Sequence, residues 1–260
     1  MLLLIVLTIV NNYGNISLQT EKEGVIEMLN LYMDLDDTLI QTQQLFETYK
    51  EYCARYIECY DCKLELTYDE IMSYFNEREM LNMEIYGFEN KRFILSWEET
   101  AKHFIPDMDT EAVKAIASLV FKDKAPLMDG AIETLENLTE KGYEITIITC
   151  GIDEVQNKRI DDVGIRHYFK DIHVVPVKDK ETMGAIIEDP SNAVMIGNSM
   201  RSDIAPAVEL GVRAIQINAP NWFYDELEEA PEGKYYICNI EEVPTFVELH
   251  EHYSRTIGKI

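Results

Sequence analysis

Basic residues are scarce in this chain of 260. It has 23 Lys and Arg against 48 Asp and Glu, a formal charge of −25. So acidic a surface excludes a broad field that attracts nucleic acid. An anionic ligand must instead be held locally, by a metal, a lysine and backbone N–H groups. The acids are spread along the chain, as on a solvated surface. Cysteine is also sparse, with Cys53, Cys59, Cys62, Cys150 and Cys238. An odd set of five in a chain this long does not make a secreted disulfide scaffold. Cys59-Tyr-Asp-Cys62 is a lone C-x-x-C. A structural metal site needs about four ligands, so reduced thiols are the expected state. Low-complexity tracts and internal repeats are absent.

A long hydrophobic run is missing too. Met1 to Val10 is apolar, but a bilayer span takes about 20 residues. As the core of a signal peptide the run lacks a preceding Lys or Arg and a following small-x-small site. An added edge strand and an exported leader are alternatives. The expectation is a dispensable extension over residues 1–28 of a cytoplasmic protein. The hydrophobic content of 47% suffices for one large domain, or for a core with a smaller inserted unit.

The most informative stretch runs from Leu29 to Leu39. An apolar run reads as a buried strand and delivers Asp34 and Asp36 at its carboxyl end. In an open α/β sheet that edge is where ligands bind. Alternation puts both carboxylates on one face. Two like charges so close call for something positive beside them, and a divalent cation with a phosphoryl group would provide it.

From Gln41 to about Lys122 the periodicity is helical. Phe46, Tyr49, Cys53, Tyr56 and Ile57 mark one helix face, and the stripe Tyr49, Tyr52, Tyr56 and Tyr60 reads as core. Further helices are expected over 69–86, within 93–104 and over 109–121. Strands and helices alternate again from Ala125: strands at 143–149, 172–175, 193–197 and 212–217, a short one at 235–238, and helices at 129–141, 153–162, 180–188, 202–210 and from about 241. This predicts an α/β fold, a Rossmann-like doubly wound parallel sheet. The expected division is an extension at 1–28, a catalytic core at 29–45 and 123–260, and an α-helical cap at 46–122. Polar groups should then gather at one sheet edge: Asp34 and Asp36, Thr149, Lys178, and Asn198 with Asp203.

In this order and placement the residues resemble the haloacid dehalogenase-like superfamily of hydrolases, in the branch with a helical cap after the first strand. Asp34-Leu-Asp36-Asp-Thr38 is similar to its first motif and Ile145–Thr149 to its second. Lys178 is similar to the third, with Lys180 a competing choice, and Gly197-Asn198 through Asp203 to the fourth. The resemblance implies a Mg²⁺-dependent phosphatase acting on a small phosphorylated metabolite such as a nucleotide or sugar phosphate. Asp34 would be the nucleophile and Asp36 the general acid and base. Leu35, Asp36, Thr149, Cys150, Gly151 and Lys178 would hold the phosphoryl group. Asp34, the Asp36 carbonyl, Asn198 and Asp203 would serve the metal. Many members carry an acid where this chain has Asn198, which leaves open whether Asn198 or Asp203 is the direct ligand.

Asp36 favours phosphoryl chemistry over carbon–halogen cleavage, since the dehalogenating members lack that carboxylate. A phosphomutase remains an alternative. So does a phosphonate hydrolase, which would need a cap lysine among Lys50, Lys63, Lys91 and Lys102. A non-enzymatic binding protein would have lost Asp34, Asp36 or Lys178. Arg78, Lys91, Arg92 and His103 are candidate cap contacts for the substrate. No nucleic-acid or membrane partner is expected.

Overall fold

A computed structural model describes residues 28–60, 65–219, 222, 231–233 and 235–257. The expected extension and Lys63 therefore lie almost wholly or wholly outside the described residues, as does Cys62. Six strands form one parallel sheet: β1 (Asn30–Met33), β2 (Ile145–Cys150), β3 (Phe169–Val175), β4 (Ala193–Gly197), β5 (Arg213–Ile217) and β6 (Tyr235–Cys238), in the spatial order β3-β2-β1-β4-β5-β6. All five residues of β4 are buried, as expected for a strand covered on both faces. Leu31 pairs with Ile145 on one side and Val194 on the other. This places β1 at the centre, where the strand order changes direction, and ligands bind outside the carboxyl ends of strands at such a point.

Four helices intervene between β1 and β2: α1 (Thr42–Tyr60), α2 (Tyr68–Tyr86), α3 (Asn90–Phe104) and α4 (Glu111–Leu119). They enclose their own hydrophobic cluster, with Phe46, Ile57, Phe75, Phe93, Trp97 and Val113 at its centre. Phe75 and Trp97 stack with ring centroids 4.0 Å apart. The tyrosine stripe differs from expectation. Tyr49 is buried, but Tyr52 and Tyr60 are 54% and 45% exposed. Phe46, Cys53 and Ile57 form the packing face, and those two tyrosines fall to its flank.

The chain enters and leaves this helical unit through two segments lying side by side. Ile40 and Leu127 form an antiparallel bridge, Gln41 N–H donates to the Pro126 carbonyl at 2.8 Å, and Met128 N–H donates to the Leu39 carbonyl at 2.8 Å. The remaining helices are α5 (Ala131–Glu140), α6 (Asp153–Val163), α7 (Lys180–Ile186), α8 (Ala205–Glu209) and α9 (Val243–Ile257). Most boundaries fall within two residues of the sequence reading, and two larger shifts have a visible cause. β3 begins at Phe169 and not at Ile172, because Phe169 and the exposed Asp171 still pair with Ile145 and Thr146 of β2. The helix expected from Ser202 is preceded by a wide π turn over Met200–Ile204.

Candidate active site

The first motif leaves β1 in a tight loop. Asp34 N–H continues the ladder to the Ile196 carbonyl at 2.8 Å, and Leu39 and Ile40 both donate back to the Leu35 carbonyl. Asp37 closes the loop with φ of 57°, a left-handed conformation that a short polar side chain tolerates. Its carboxylate accepts from Gln43 N–H at 2.8 Å, at the start of α1, and from Trp222 Nε1 at 2.9 Å. Burial pushes Asp37 up to about 7, against the pull of the Gln43 bond.

This loop presents Asp34 and Asp36 to a cleft between the sheet edge and the helical unit. Thr42, Phe46, Phe88, Glu89, Asn90, Arg92, Phe121 and Trp222 line one side, while Cys150, Gly151, Gln156, Arg159, Lys178, Asn198 and Ser199 line the other. Asp34, Thr149, Lys178, Asn198 and Asp203 are all buried. The strand ends thus bring together every side chain that the sequence reading assigned to the catalytic and metal sets.

Lys178 organises the charges. Its Nζ donates to Asp34 Oδ1 at 2.5 Å and to Asp203 Oδ1. Lys180 instead opens α7 as an exposed residue, so Lys178 is the lysine at the strand ends. Burial holds Asp34 well above the usual carboxylate range. Lys178 opposes this shift, while Asp203 and Asp36 add to it. Burial would depress Lys178, but Asp203 and Asp34 reverse that and raise it. The lysine is therefore a fixed cation.

Asn198 and Asp203 have different surroundings. Asp203 is fully buried; one oxygen accepts from Lys178 and the other from Ser199 N–H at 2.9 Å. The π turn brings it back beneath β4, where a Cβ on Gly197 would collide with its carboxylate. Asn198 reaches the cleft itself. The Thr38 hydroxyl accepts from Asn198 N–H at 3.0 Å and stands 3.3 Å from Asp34 Oδ2 and 3.4 Å from Asn198 Oδ1. One hydroxyl proton cannot serve both oxygens fully. The pair is an oxygen cluster that fits a hard cation. Among the described residues no three His, Cys, Asp or Glu side chains form a metal cage. Mg²⁺ prefers oxygen ligands and keeps several waters, so Asp34, the Asp36 carbonyl and the Asn198 amide oxygen would be a suitable donor set for it.

Thr149 is the next-to-last residue of β2, and Cys150, which ends the strand, and Gly151 reach the cleft. Burial pushes the Cys150 thiol up to about 12, which leaves it a poor nucleophile at neutral pH. Gly151 departs from expectation. Its N–H donates to the Val175 carbonyl at 3.2 Å, so this donor faces the neighbouring strand and not a phosphoryl group. Of the candidate cap contacts, only Arg92 lines the cleft. Arg78 pairs with Glu99, Lys91 pairs with Glu89 outside, and His103 stacks on Tyr74.

The sequence reading missed Gln156 and Arg159. Both are buried on α6 and both reach Asp36: Gln156 Nε2 donates to Oδ2 at 2.7 Å and Arg159 Nη1 to Oδ1 at 3.1 Å. The available signal was two polar residues three apart, beside Ile160, on the inward stripe of a helix that directly follows a strand end.

A family model described as haloacid dehalogenase-like hydrolase matches residues 31–217. The glyceraldehyde 3-phosphate phosphatase of Methanocaldococcus jannaschii is 23% identical over 232 residues, covering 84% of this chain and 96% of that protein. The HAD-hydrolase YfnB of Bacillus subtilis is 28% identical over 135 residues; the match spans 44% of this chain and about half, 55%, of that relative. YfnB has been solved bound to magnesium, and its structure superposes with a TM-score of 0.61 at 20% identity, covering 85% and 98% of the two chains. A haloacid dehalogenase-like hydrolase from Xanthomonas campestris gives a TM-score of 0.69 at 20% identity, covering 88% and 98%. Haloacid dehalogenases share the fold as well. Given the family match over most of its length and the same fold, the chain belongs to the haloacid dehalogenase-like hydrolases.

Proposed function

We propose that this hydrolase is a Mg²⁺-dependent phosphatase that cleaves a small phosphorylated metabolite through an aspartyl-phosphate on Asp34. The observation that carries the reading is the pair of carboxylates at the cleft. Asp34 is held by Lys178, and Asp36, two residues on, faces the same cleft and is gripped by Thr42, Gln156 and Arg159. A nucleophile alone would serve carbon–halogen cleavage. A second carboxylate is needed when the departing oxygen must be protonated.

In the first step an Asp34 oxygen forms the bond to phosphorus as the ester P–O bond breaks, and Asp36 gives its proton to the departing oxygen. In the second, Asp36 takes a proton from water, the water oxygen bonds phosphorus, and the Asp34–phosphorus bond breaks. Lys178 keeps the Asp34 carboxylate in place and offsets charge on the transferring group. The Thr149 hydroxyl would donate to a phosphoryl oxygen. Bound Mg²⁺ would be held by Asp34, the Asp36 carbonyl and Asn198, and would screen the phosphoryl charge from the nucleophile. Asp203 would act through Lys178. The helices over 46–122 would form the cap that covers the leaving group.

Three of the four cap lysines weighed for a Schiff base, Lys50, Lys91 and Lys102, do not line the cleft, and Lys63 lies outside the described residues. Among the described residues Lys178 alone of the lysines lines the cleft. Lys50 is buried outside it against Phe75 and Trp222, and Lys91 and Lys102 pair with Glu89 and Glu98 on the surface. The phosphatase names among the relatives favour starting a substrate panel with triose phosphates, beside nucleotides and hexose phosphates. The test is Mg²⁺-dependent release of inorganic phosphate from that panel. The parent should release it and Asp34→Asn should not. Conversion of a sugar phosphate to its isomer without phosphate release would show a mutase, and an Asp34→Asn protein within tenfold of the parent would end the covalent reading.

A further inference from the structure

Asp36 is held more completely than a surface carboxylate requires. Its side chain is one-quarter exposed, yet three side chains grip it. Thr42 Oγ1 donates to Oδ1 at 2.5 Å, Arg159 Nη1 donates to the same oxygen at 3.1 Å, and Gln156 Nε2 donates to Oδ2 at 2.7 Å. Gln156 is itself oriented, because its Oε1 accepts from Arg159 Nη1 at 3.0 Å. That bond directs the amide nitrogen toward Asp36, Thr149 Oγ1 at 2.7 Å and the Cys150 carbonyl at 3.0 Å. The Thr149 oxygen therefore accepts from Gln156, which leaves its own proton to donate. Gly151 makes room for this: a Cβ there would stand 3.3 Å from Gln156 Cγ.

The arginine is a poor choice for stability alone. It is buried, and its Nε and Nη2 find no hydrogen-bond partner among the described residues, an arrangement that costs free energy. Its guanidinium lies 5.9 Å from the Phe46 ring of α1, so it is also packed under the helical unit. What it gains is the bridge to Asp36 and Gln156.

We propose that Arg159, acting through Gln156, is the positioning residue that aims Asp36 at the leaving-group oxygen and at the hydrolytic water. The role rests on the phosphatase reading, with Asp36 as acid and then base. It predicts a dependence on the leaving group that a merely structural arginine would not give. An alkyl phosphate needs a proton on its departing oxygen, whereas 4-nitrophenolate leaves without one. Both substrates need a base for the second step.

Arg159→Met should therefore be studied by rapid mixing with 4-nitrophenyl phosphate and with an alkyl phosphate at saturating Mg²⁺. The burst of 4-nitrophenolate, which reports transfer to Asp34, should keep its rate within about threefold. Steady-state kcat of both substrates should fall by roughly 10–100-fold, a loss typical of a misplaced catalytic group, while kcat/KM should hold for 4-nitrophenyl phosphate, whose first step is spared, and fall for the alkyl phosphate. Burst and steady state falling together would show a general disturbance of the site and overturn the role, as would both remaining unchanged. If Arg159→Met does not fold, Arg159→Lys keeps charge and stem but loses the planar fork, and the same split is required of it. A parent that turns over neither phosphate would remove the proposed function itself and this role with it. An active parent with an unaffected Arg159 variant removes only the role.

Discussion

Lys178 shows at the scale of one residue how stability and chemistry share a site. It stands between Asp34 and Asp203 with all three groups buried. Taking the cation away leaves two carboxylates facing each other without a counter-charge. Breaking a buried ion pair from one side costs about 3–5 kcal/mol. Lys178→Met should therefore lower the thermal midpoint clearly in metal-free buffer, by an amount that calorimetry will read. It should also lower kcat by roughly 10²–10³-fold, the usual loss of one preorganised electrostatic partner. A variant as stable as the parent would mean that Asp34 and Asp203 do not depend on the lysine. The sequence pointed to Lys178 by its place after a strand, but not to Gln156 or Arg159. Those two matter because of how α6 is rotated against the sheet, a packing outcome that their three-residue spacing alone does not fix. The division of labour between Asn198 and Asp203 was hidden for a similar reason. It depends on the π turn over Met200–Ile204, which periodicity reads as ordinary helix.

At the scale of elements, the far edge of the sheet carries a pH sensor of stability. His250 lies on α9, buried, with its ring 4.9 Å from that of Tyr236 on β6. Its carbonyl accepts from Arg213 at 3.1 Å. Burial, then the Arg213 charge, brings its pKa down to about 4. The unfolded chain binds a proton there near 6.5 and the folded chain does not. The contribution is thus fully present above about 6.5 and is lost as the pH falls toward 4, by up to about 3 kcal/mol. Thermal unfolding of His250→Gln followed from pH 7.5 to 4 should show a shallower acid-side decline than the parent. Parallel declines would mean that His250 takes up its proton in the folded state. Elements themselves were largely legible. β1, β2, β4 and β5 follow from apolar runs with turn residues at their ends, and α1 and α2 from three- and four-residue spacing. The early start of β3 was not, because Phe169, Lys170 and Asp171 at the sheet edge lack an apolar pattern. Tyr52 and Tyr60 misled because helical spacing marks a stripe, while burial depends on how much of its width a neighbour covers.

For the whole molecule, the acidic surface and the cleft pull in different directions. A chain with formal charge −25 repels anions at long range, so under the proposed function capture would fall to Lys178, bound Mg²⁺ and the arginines at the cleft. Among the described residues no helix is long and apolar enough to cross a membrane. The parallel sheet and the gathering of four strand ends followed from the alternation of strands and helices with the motif residues between them, while the order of the strands came only with the structure. The faces that α6 and the helices over 46–122 turn to the cleft did not, since they arise from contacts between segments more than 100 residues apart. The account's central claim is that the phosphoryl group passes through Asp34. The direct test is to quench the protein in acid during turnover of 4-nitrophenyl phosphate with Mg²⁺, reduce the acyl phosphate with borohydride, and locate the altered residue by peptide mass spectrometry. The account predicts reduction of Asp34 to homoserine in the parent and none without substrate. Steady phosphate release with no reducible acyl phosphate, or one at any other carboxylate, would contradict it.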